Sequence, residues 1–407
     1  MSQLQGLIGL AAILGLAVVA SSDRTRIPWR TVALGLALQV GFALLVLRFG
    51  PGRDALDFVA GQVAALVAYA EEGTTFVFGR LTEGEGGVFA FQVLPVIVFL
   101  GALIGMLYYL RVIQLFVHYL GGAIAWVLRT SRLESVYAAT VIFLGQTEAP
   151  LLISPYLQRL TRSELFAVMT AGFAAVAGST LVGYALLGAP LEYLLAASLM
   201  NAPGALLMAK IMLPETEAET ETEATAGSVR DVRDEESANV IDATGRGALA
   251  GGRIAAIVAA LLIAFVSLIA MANGVLGGVG GWLGDDTLSF EKILGYAFAP
   301  VAWAIGVPWG EAQEAGNLIG LKTVLNEFVA FAELGPQVGQ LSEKTVLVST
   351  FALAGFANFA SIAIQIGTLG GLAPERRAEV AELGLKALLA GSLVNLSNAA
   401  IAGVVAG

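Results

Sequence analysis

Eight stretches of this chain are apolar over about the length that a helix needs to cross a lipid bilayer. They lie at 4–20, 31–47, 88–120, 165–187, 191–213, 248–272, 345–369 and 378–405. Because the hydrocarbon core is ~30 Å thick and requires about 20 apolar residues, each stretch is a candidate spanning helix. The first lacks a basic start and a small-residue cleavage site, so we expect a retained helix and not a signal peptide. The sequence predicts an all-helical membrane protein with eight spans.

The composition argues against a soluble enzyme. Of 407 residues, 57% are hydrophobic and 13% are charged, whereas a soluble chain is near half apolar and a quarter charged. There is no cysteine, and the single histidine, His118, cannot form a paired metal site. Neither a GxxxxGK[ST] phosphate loop nor a GxSxG nucleophile motif occurs. We therefore expect neither an enzyme nor a bound cofactor.

Most of the negative charge lies in one short segment. The net charge is −10, and the segment 214–242 contains ten acidic residues and two arginines. An alternation of Glu and Thr with few apolar residues cannot bury a core, so we expect a solvated linker. The rest of the chain is nearly neutral, and we expect no nucleic acid as a partner.

Two further apolar stretches are interrupted by polar residues and proline. The first, 135–160, is interrupted at 145–150 (Gly-Gln-Thr-Glu-Ala-Pro), and the second, 290–331, at 306–311 (Gly-Val-Pro-Trp-Gly-Glu). Each limb is too short to cross the bilayer, so both stretches are predicted to be re-entrant hairpins. Irregular backbone at membrane depth is stable only when protein shields it or when it lines a wet cavity. The weaker apolar pattern of 54–79 is typical of a helix lying in the membrane interface.

The helices that follow the two hairpins resemble each other. The sequence Ala-Gly-Phe-Ala occurs at 171–174 and again at 354–357, each time in a Gly-, Ser- and Ala-rich helix that could unwind. A hairpin followed by an interrupted helix, present twice, is typical of secondary transporters built from inverted repeats. Their substrate site lies near the middle of the membrane.

Basic residues predict the orientation. With the N-terminus outside, fifteen Lys and Arg residues fall on the inner side and six on the outer side, as the positive-inside rule favours. Both termini are then outside, the acidic linker is inside, and the hairpins enter from opposite faces, the first from the cytoplasm.

The predicted units are the N-terminal scaffold and interfacial helices (1–87), third span and connection (88–133), first hairpin and interrupted helix (134–213), linker (214–247), sixth span (248–284), and second hairpin, interrupted helix and last span (285–407).

Two carboxylates are predicted at membrane depth. Glu148 and Glu327 lie between apolar flanks on the two hairpins. A charge at that depth is costly, so such a residue is a candidate for function. The structural alternatives are a carboxylate that caps a hairpin turn or one that pairs with an arginine.

Amides, hydroxyls and an aromatic ring accompany these acids. Gln146 and Thr147 precede the first acid directly, and Asn358 and Ser361 are three residues apart, so in a helix they share a face. Phe356 would point elsewhere unless that helix is broken. Such a set suits a neutral, flat, polyhydroxylated ligand, because amides read a base edge, a carboxylate binds two hydroxyls and an aromatic ring packs on a ring.

A series of short motifs carries a resemblance to a known family. They are Val-Leu-Pro at 93–95, Met-Leu-Tyr-Tyr-Leu at 106–110, Glu-Ser-Val at 134–136, Gly-Gln-Thr-Glu-Ala-Pro-Leu-Leu at 145–152, Pro-Tyr-Leu at 155–157, Met-Thr-Ala-Gly-Phe at 169–173, Ala-Gly-Ser at 177–179, Pro-Glu-Thr-Glu at 214–217, Asn-Glu-Phe-Val-Ala at 326–330 and Gly-Phe-Ala-Asn-Phe at 355–359. Through them the chain resembles the concentrative nucleoside transporters.

The resemblance implies an ion-coupled nucleoside importer in the lipid bilayer of the plasma membrane, which is the inner membrane in a bacterium. It implies a homotrimer of eight-span protomers, in which a transport domain with two hairpins moves like an elevator against a trimerising scaffold. It also implies the substrate-binding residues. Those at the nucleobase are Gln146, Thr147, Glu148, Thr180 and Phe356, and those at the ribose hydroxyls are Glu327, Asn358 and Ser361.

The ion site departs from the family pattern. In sodium-coupled members, the ion is held by backbone carbonyls and by hydroxyls that include a Ser or Thr at the position of Ala175. Ala175 has no side-chain oxygen, and Val141 lies where asparagine is usual. Leu144 and Val176 could still supply carbonyl oxygens, and Thr147 a hydroxyl.

The coupling ion is therefore H+ or Na+, and the missing hydroxyl leads us to expect a proton. A proton needs one titratable group, for which Glu148, beside the ion position, is the first candidate and Glu327 the second. The counter-argument is that water can replace a side-chain ligand of sodium.

Other functions stay open at this stage. One is a symporter for another polar solute, which the Gln-Thr-Glu and Asn-Glu-Phe motifs argue against. Another is a channel, which would not need two inverted hairpins. Intramembrane hydrolysis is remote, because no His pair or nucleophile motif accompanies the carboxylates.

Overall fold

The computed structural model describes residues 2–82, 89–216, 234, 236–283 and 287–407, and within these residues the chain forms helices and turns without a β-strand. The helices are α1 (Ser2–Val19), α2 (Trp29–Leu47), α3 (Gly50–Phe78), α4 (Phe89–Gln92), α5 (Leu94–Tyr109), α6 (Val112–Leu128), α7 (Arg132–Thr140), α8 (Ala149–Ile153), α9 (Arg162–Ala174), α10 (Gly178–Leu186), α11 (Leu191–Met212), α12 (Val240–Leu283), α13 (Phe290–Ala304), α14 (Ala312–Val324), α15 (Glu327–Leu334), α16 (Glu343–Leu353), α17 (Phe359–Leu372) and α18 (Arg377–Ala406). The predicted all-helical class is confirmed.

Several of these helices have the length and composition of membrane spans. In the described part of the chain, six segments qualify, at 29–47, 90–109, 162–186, 191–212, 240–282 and 374–406. They correspond to six of the predicted spans. The other two predicted spans correspond to α1 and to the pair α16 and α17, which are shorter. A multi-pass membrane protein follows, and the count of eight spans stays a prediction.

The structure divides the predicted third span, 88–120, among three helices: the short α4, α5 and the first part of α6. Arg111 lies between α5 and α6 with a φ of 63°, in the left-handed region. The Gln114 side-chain amide donates to the Tyr108 carbonyl at 3.0 Å and so satisfies a group at the end of α5. A single span to residue 120 was therefore the wrong prediction. No glycine or proline occurs at the turn, and the hydropathy of the sequence alone does not reveal it.

Contacts between loops define one end of the molecule, which we call the linker end. There the Ser22 amide donates to the Met212 carbonyl at 3.0 Å, and the Ser163 hydroxyl donates to the Leu213 carbonyl at 2.8 Å. The Arg376 guanidinium donates to the Leu157 carbonyl at 3.2 Å. Turns between α1 and α2, after α8, after α11 and before α18 therefore meet at this end.

The opposite end, which we call the terminal end, holds both ends of the chain. Gly6 packs directly against Val404, and the Arg48 guanidinium donates to the Val405 carbonyl at 2.6 Å. Gly403 packs against Val348 of α16, and the Ser342 amide donates to Glu311 at 3.0 Å, so the starts of α14 and α16 also lie there. The two termini therefore lie on the same side of the protein, as the predicted orientation requires.

The first predicted hairpin begins and ends at the linker end. Its limbs are α7 and the pair formed by α8 and a 3-10 turn, Ser154–Arg159. Between the limbs, residues 141–148 form the turn that carries the predicted polar residues. Pro150 occupies the first turn of α8, where its missing N–H leaves no helical bond unmade.

The second predicted hairpin contains a helix break that the sequence analysis missed. The predicted turn at 306–311 joins α13 and α14, which pack closely through Gly316 and Gly320. A second break, at Leu325 and Asn326, separates α14 from α15 and is the one beside Glu327. The Asn326 side chain accepts from the Val329 amide at 2.9 Å and caps α15. This hairpin, α14 and α15, begins and ends at the terminal end, where Gly335 packs against Leu187.

Both helices that carry the repeated Ala-Gly-Phe-Ala sequence are interrupted. The first stops at Ala174 and resumes at Gly178, and the second stops at Leu353 and resumes at Phe359. The first pair runs from the linker end to the terminal end and the second pair runs the opposite way. Two units of hairpin and broken helix are therefore inverted relative to each other.

Two glycine motifs join α5 to α12. Gly101 and Gly105 face Gly247 and Gly251, and a Cβ on any of the four would lie within 2.6 Å of backbone on the other helix. Such small residues allow the close helix approach that is common in membranes. The start of α12 at Val240 shortens the predicted linker. Of the remaining predicted linker residues, 217–233 and 235 lie outside the described part of the chain.

Candidate functional site

The two hairpin turns and the two helix breaks meet inside the protein. The Phe356 amide, in the second break, donates to the Ala175 carbonyl in the first break at 3.1 Å. The Gly178 amide donates to the Phe143 carbonyl in the turn of the first hairpin at 3.2 Å. The Asn358 amide, at the second break, donates to Glu327 at the start of α15, so the break before Glu327 lies there as well. Four chain interruptions are thus concentrated in one place, which is where polar ligands can be bound at membrane depth.

Glu327 is the centre of a buried hydrogen-bond cluster. Its side chain is 4% exposed at the start of α15. Tyr184 donates its hydroxyl to Oε1 at 3.0 Å, and the Asn358 amide donates to Oε2 at 2.9 Å. Tyr184 is itself held between Phe328 and Phe331, with ring centroids 4.7 and 4.5 Å away. The carboxylate is therefore fixed, with lone pairs left on both oxygens.

Gln146 connects the first hairpin to the second broken helix. Its Nε2 donates to the Ser361 hydroxyl at 3.0 Å, and both side chains are buried. The Ser361 amide in turn donates to Asn358 Oδ1 at 2.9 Å, because Asn358 caps the start of α17. Four of the predicted site residues, including Glu327, thus form one continuous chain of hydrogen bonds.

Thr180 and Phe356 lie at the edges of this cluster. The Thr180 hydroxyl donates to the Ala177 carbonyl at 2.8 Å, one helical turn before Tyr184. Phe356 is buried in the second break, where the backbone is not helical. The condition on which its predicted role depends, a broken helix, is therefore met.

Thr147 and Glu148 are not hydrogen-bonded to the Glu327 cluster. Thr147 is exposed, and the Glu148 carboxylate accepts from the Gly145 amide at 3.3 Å. Glu148 faces a cavity of about 500 Å³ that Tyr108 and Ser179 also line. The cavity separates the tip of the first hairpin from α5 and α12.

The predicted ion-site residues lie in the same two interruptions. Val141 and Leu144 belong to the first hairpin turn, and Ala175 and Val176 to the first helix break. Among the described residues, the carbonyls of Val141, Leu144 and Val176 accept no backbone hydrogen bond outside a helix. The Ala175 carbonyl already accepts one from Phe356, and its side chain is a methyl group. Carbonyl oxygens that could coordinate an ion are thus available beside Thr147. Ala175 contributes little to such a site, because it has no side-chain oxygen and its carbonyl is already hydrogen-bonded.

Sequence reasoning missed a buried lysine and its amide partner. Lys322 was counted among the outer residues, but it is 3% exposed and donates to Asn395 at 2.8 Å. The Asn395 amide donates to the Ala174 and Ala354 carbonyls at 2.9 and 3.0 Å and so bridges both helix breaks. The signal that could have revealed this residue is its place in an apolar helix, five residues before Glu327. Long charged side chains are rarely buried without partners, so a lysine there predicts a polar partner nearby.

Comparison with known proteins gives matches along nearly the whole chain. Residues 8–81 match the family model for the N-terminus of Na+ dependent nucleoside transporters, and residues 193–403 match the model for their C-terminus. Residues 90–191 match a gate model described as nucleoside recognition.

Individual relatives cover the same extent. The chain is 51% identical to an uncharacterized transporter, YutK, of Bacillus subtilis, with 99% of this chain and 100% of that protein covered. It is 44% identical to the nucleoside permease NupC of Helicobacter pylori, with 100% of this chain and 98% of that protein covered. The solved structure of CNTnw in an inward-facing substrate-bound state matches with a TM-score of 0.94 and 48% identity, covering 100% of this chain and 98% of that chain. The chain therefore belongs to the concentrative nucleoside transporter family, whose members are transporters and not enzymes.

Proposed function

We propose that this chain imports nucleosides, driven by a cation gradient across the plasma membrane. The observation that carries the proposal is the buried chain of hydrogen bonds from Gln146 through Ser361 and Asn358 to Glu327. Amides and a carboxylate in fixed positions suit a ligand that presents a flat polar edge and several hydroxyls. The relatives, a nucleoside permease among them, support the same substrate class.

Within this proposal, the ribose hydroxyls bind to Glu327, Asn358 and Ser361. Glu327 can accept two further hydrogen bonds, because Tyr184 and Asn358 occupy only one site on each oxygen. The nucleobase binds beside Gln146, with Thr180 and Phe356 lining it. Glu148 approaches from the cavity side through water, and the exposed Thr147 reaches the base after a movement of the hairpin.

The proposed transport cycle is an elevator-like movement in a homotrimer. The inverted units of hairpin and broken helix would form the moving part, and α5 with α12 would belong to the scaffold. Two features support this division: the close glycine contact of α5 with α12, and the cavity that separates them from the tip of the first hairpin. Light scattering of the purified protein tests the trimer, for which we expect three times the 42.0 kDa chain mass.

The decisive experiment is uptake of labelled uridine and adenosine into proteoliposomes. Sodium and proton gradients are imposed separately, with the membrane potential clamped. Saturable, gradient-driven accumulation supports the proposal. Uptake that is linear in concentration and independent of any gradient would indicate a channel, and gradient-driven uptake of another solute alone would indicate a different symporter.

The same assay identifies the coupling ion, which we propose is a proton. The methyl side chain of Ala175 and the engaged carbonyl of the same residue support this choice. We expect uptake to rise as the external pH falls, and Glu148→Gln to remove that dependence on pH. Accumulation driven by sodium at equal pH would instead assign the sodium coupling for which the family model is named.

A further inference from the structure

A polar stripe on α17 extends one turn beyond the predicted site. Asn358 and Ser361 lie on the face that meets the first hairpin, and Gln365 continues this face four residues later. The Gln365 side chain is 2% exposed, in a helix that is otherwise apolar around it. A buried glutamine requires hydrogen-bond partners, and its partners reveal what it does.

A backbone carbonyl fixes the orientation of the Gln365 amide. Its Nε2 donates to the Met169 carbonyl on α9 at 3.0 Å. An amide nitrogen has two hydrogens and an amide oxygen has none, so only Nε2 can face a carbonyl. Gly172 leaves the space for this contact, because a Cβ there would lie 2.7 Å from Nε2. The orientation is therefore set by the fold and not by the ligand.

The second hydrogen of that nitrogen sets the orientation of Gln146. Gln365 Nε2 donates to Gln146 Oε1 at 3.3 Å, while Gln146 Nε2 donates to the Ser361 hydroxyl. If the side-chain amide of Gln146 were rotated by about 180°, its NH₂ group would face the NH₂ group of Gln365. The donor and acceptor that Gln146 offers to a base therefore have fixed places. Among the described residues, Gln365 Oε1 has no hydrogen-bond partner although it is buried, and it is left to accept from a ligand or water.

We propose that Gln365 is a positioning residue that fixes the Gln146 amide and so decides which nucleobases the protein accepts. This inference rests on the proposed nucleoside function. Uracil and cytosine present opposite hydrogen-bonding groups at position 4 and at N3, as do hypoxanthine and adenine at position 6 and at N1. A Gln146 amide held in a single orientation must therefore bind one base of at least one of these pairs more tightly than the other.

The test compares inhibition constants for uridine, cytidine, inosine and adenosine against labelled nucleoside uptake in proteoliposomes. We expect the wild type to discriminate within at least one pair by about tenfold, the effect of one hydrogen bond made or inverted. Gln365→Met and Gln365→Leu remove the amide, so the discrimination should fall to near unity. The ratio of 2′-deoxyuridine to uridine should change less than the base ratios, because Gln365 is hydrogen-bonded to Gln146 and to the Met169 carbonyl and to neither Glu327 nor Asn358. Ratios within one sample do not depend on how much protein is active.

Gln340→Met is the matched control, because it makes the same chemical change at an exposed site at the terminal end. It should leave every ratio unchanged. If the wild type takes up no nucleoside, the proposed function fails. The inference alone fails if the wild type takes up nucleosides but does not discriminate, or if both variants keep the discrimination or weaken all nucleosides equally. It also fails if neither variant yields folded protein, since Gln365 would then serve only the fold.

Discussion

At the scale of single residues, the site is organised by one carboxylate with fixed neighbours. Glu327 receives hydrogen bonds from Tyr184 and Asn358. Hydrogen bonds to a charged group are stronger than neutral ones, so this arrangement keeps the carboxylate in place before a ligand arrives. Preorganisation of this kind reduces the entropic cost of binding.

Replacing Glu327 by glutamine should separate ribose recognition from base recognition. Glu327→Gln keeps the size but loses charge-assisted hydrogen bonds worth about 1.5–3 kcal/mol each. Its NH₂ group would also face either the Asn358 NH₂ group, which can only donate, or the Tyr184 hydroxyl, which would have to accept where it now donates. In competition uptake assays we expect at least about a tenfold loss of affinity for ribonucleosides and a smaller loss for 2′-deoxynucleosides.

The control is Glu333→Gln, which makes the same change on α15 at an exposed position. It should leave both affinities unchanged. Equal losses for the two sugars in Glu327→Gln would contradict the assignment of this residue to the ribose hydroxyls.

At the scale of elements, close helix contact depends on single missing methyl groups. On α12, Gly247 has the Gly101 carbonyl oxygen 2.3 Å from the place where its Cβ would be, whereas Gly252 has nothing within 4 Å. The two glycines differ by five positions on one helix but lie on different faces. Burial against α5 and not helix propensity therefore explains the glycine at 247.

A pair of alanine substitutions tests this contact. Gly247→Ala should destabilise the protein by about 1–3 kcal/mol, the usual cost of overpacking. Gly252→Ala should be neutral or stabilising by up to about 1 kcal/mol, because alanine favours the helix. The thermal midpoints of both variants in detergent give the comparison. A Gly247→Ala midpoint no lower than that of Gly252→Ala would show that the two helices separate at no cost.

The acidic linker should be dispensable for transport. Before it, Thr161 donates to Glu215 at 2.6 Å and Arg26 donates to the Thr216 carbonyl at 3.1 Å, so the chain is anchored up to residue 216. Deletion of 217–234 should leave a folded trimer with near-normal uptake, because a polar acidic segment adds no core. Replacing the same residues by a Gly-Ser segment of equal length is the control, because it keeps the length of chain that connects the flanking segments. Loss of the trimer with the replacement would show that the acidic sequence itself binds elsewhere in the protein.

At the scale of the whole molecule, the first and last helices bring the two ends of the chain together. Gly6 packs against Val404 at the terminal end, and the turn that contains Thr25 lies at the linker end with Met212. Together with the excess of basic residues at the linker end, this arrangement predicts both termini outside the cell.

Cysteine labelling can test this topology without background, because the chain has no cysteine. We expect Gln3→Cys and Gly407→Cys to react with an impermeant maleimide on intact cells. Thr25→Cys should react only after permeabilisation. The reverse pattern would invert the orientation but keep the fold, whereas termini that label from opposite sides would contradict the contact of Gly6 with Val404.

The sequence by itself determined the helical class, most of the spans and the interruptions marked by local chemistry. Gly145, Pro150 and the repeated Ala-Gly-Phe-Ala are local signals, and the polar groups among them pointed to the site. The break before Glu327 also had a local signal, because asparagine is a preferred helix cap, but it was missed beside the more conspicuous proline turn at 306–311.

Only the tertiary structure decided which polar groups meet. Tyr184 lies 143 residues from Glu327, and Gln365 lies 219 residues from Gln146. In a soluble protein, apolar periodicity would show which helix face is buried. Here lipid-facing and protein-facing positions are equally apolar, so hydropathy carries little information about faces. The burial of Lys322 and the orientation of Gln146 therefore follow from helix packing, which brings distant segments together and which local sequence does not encode.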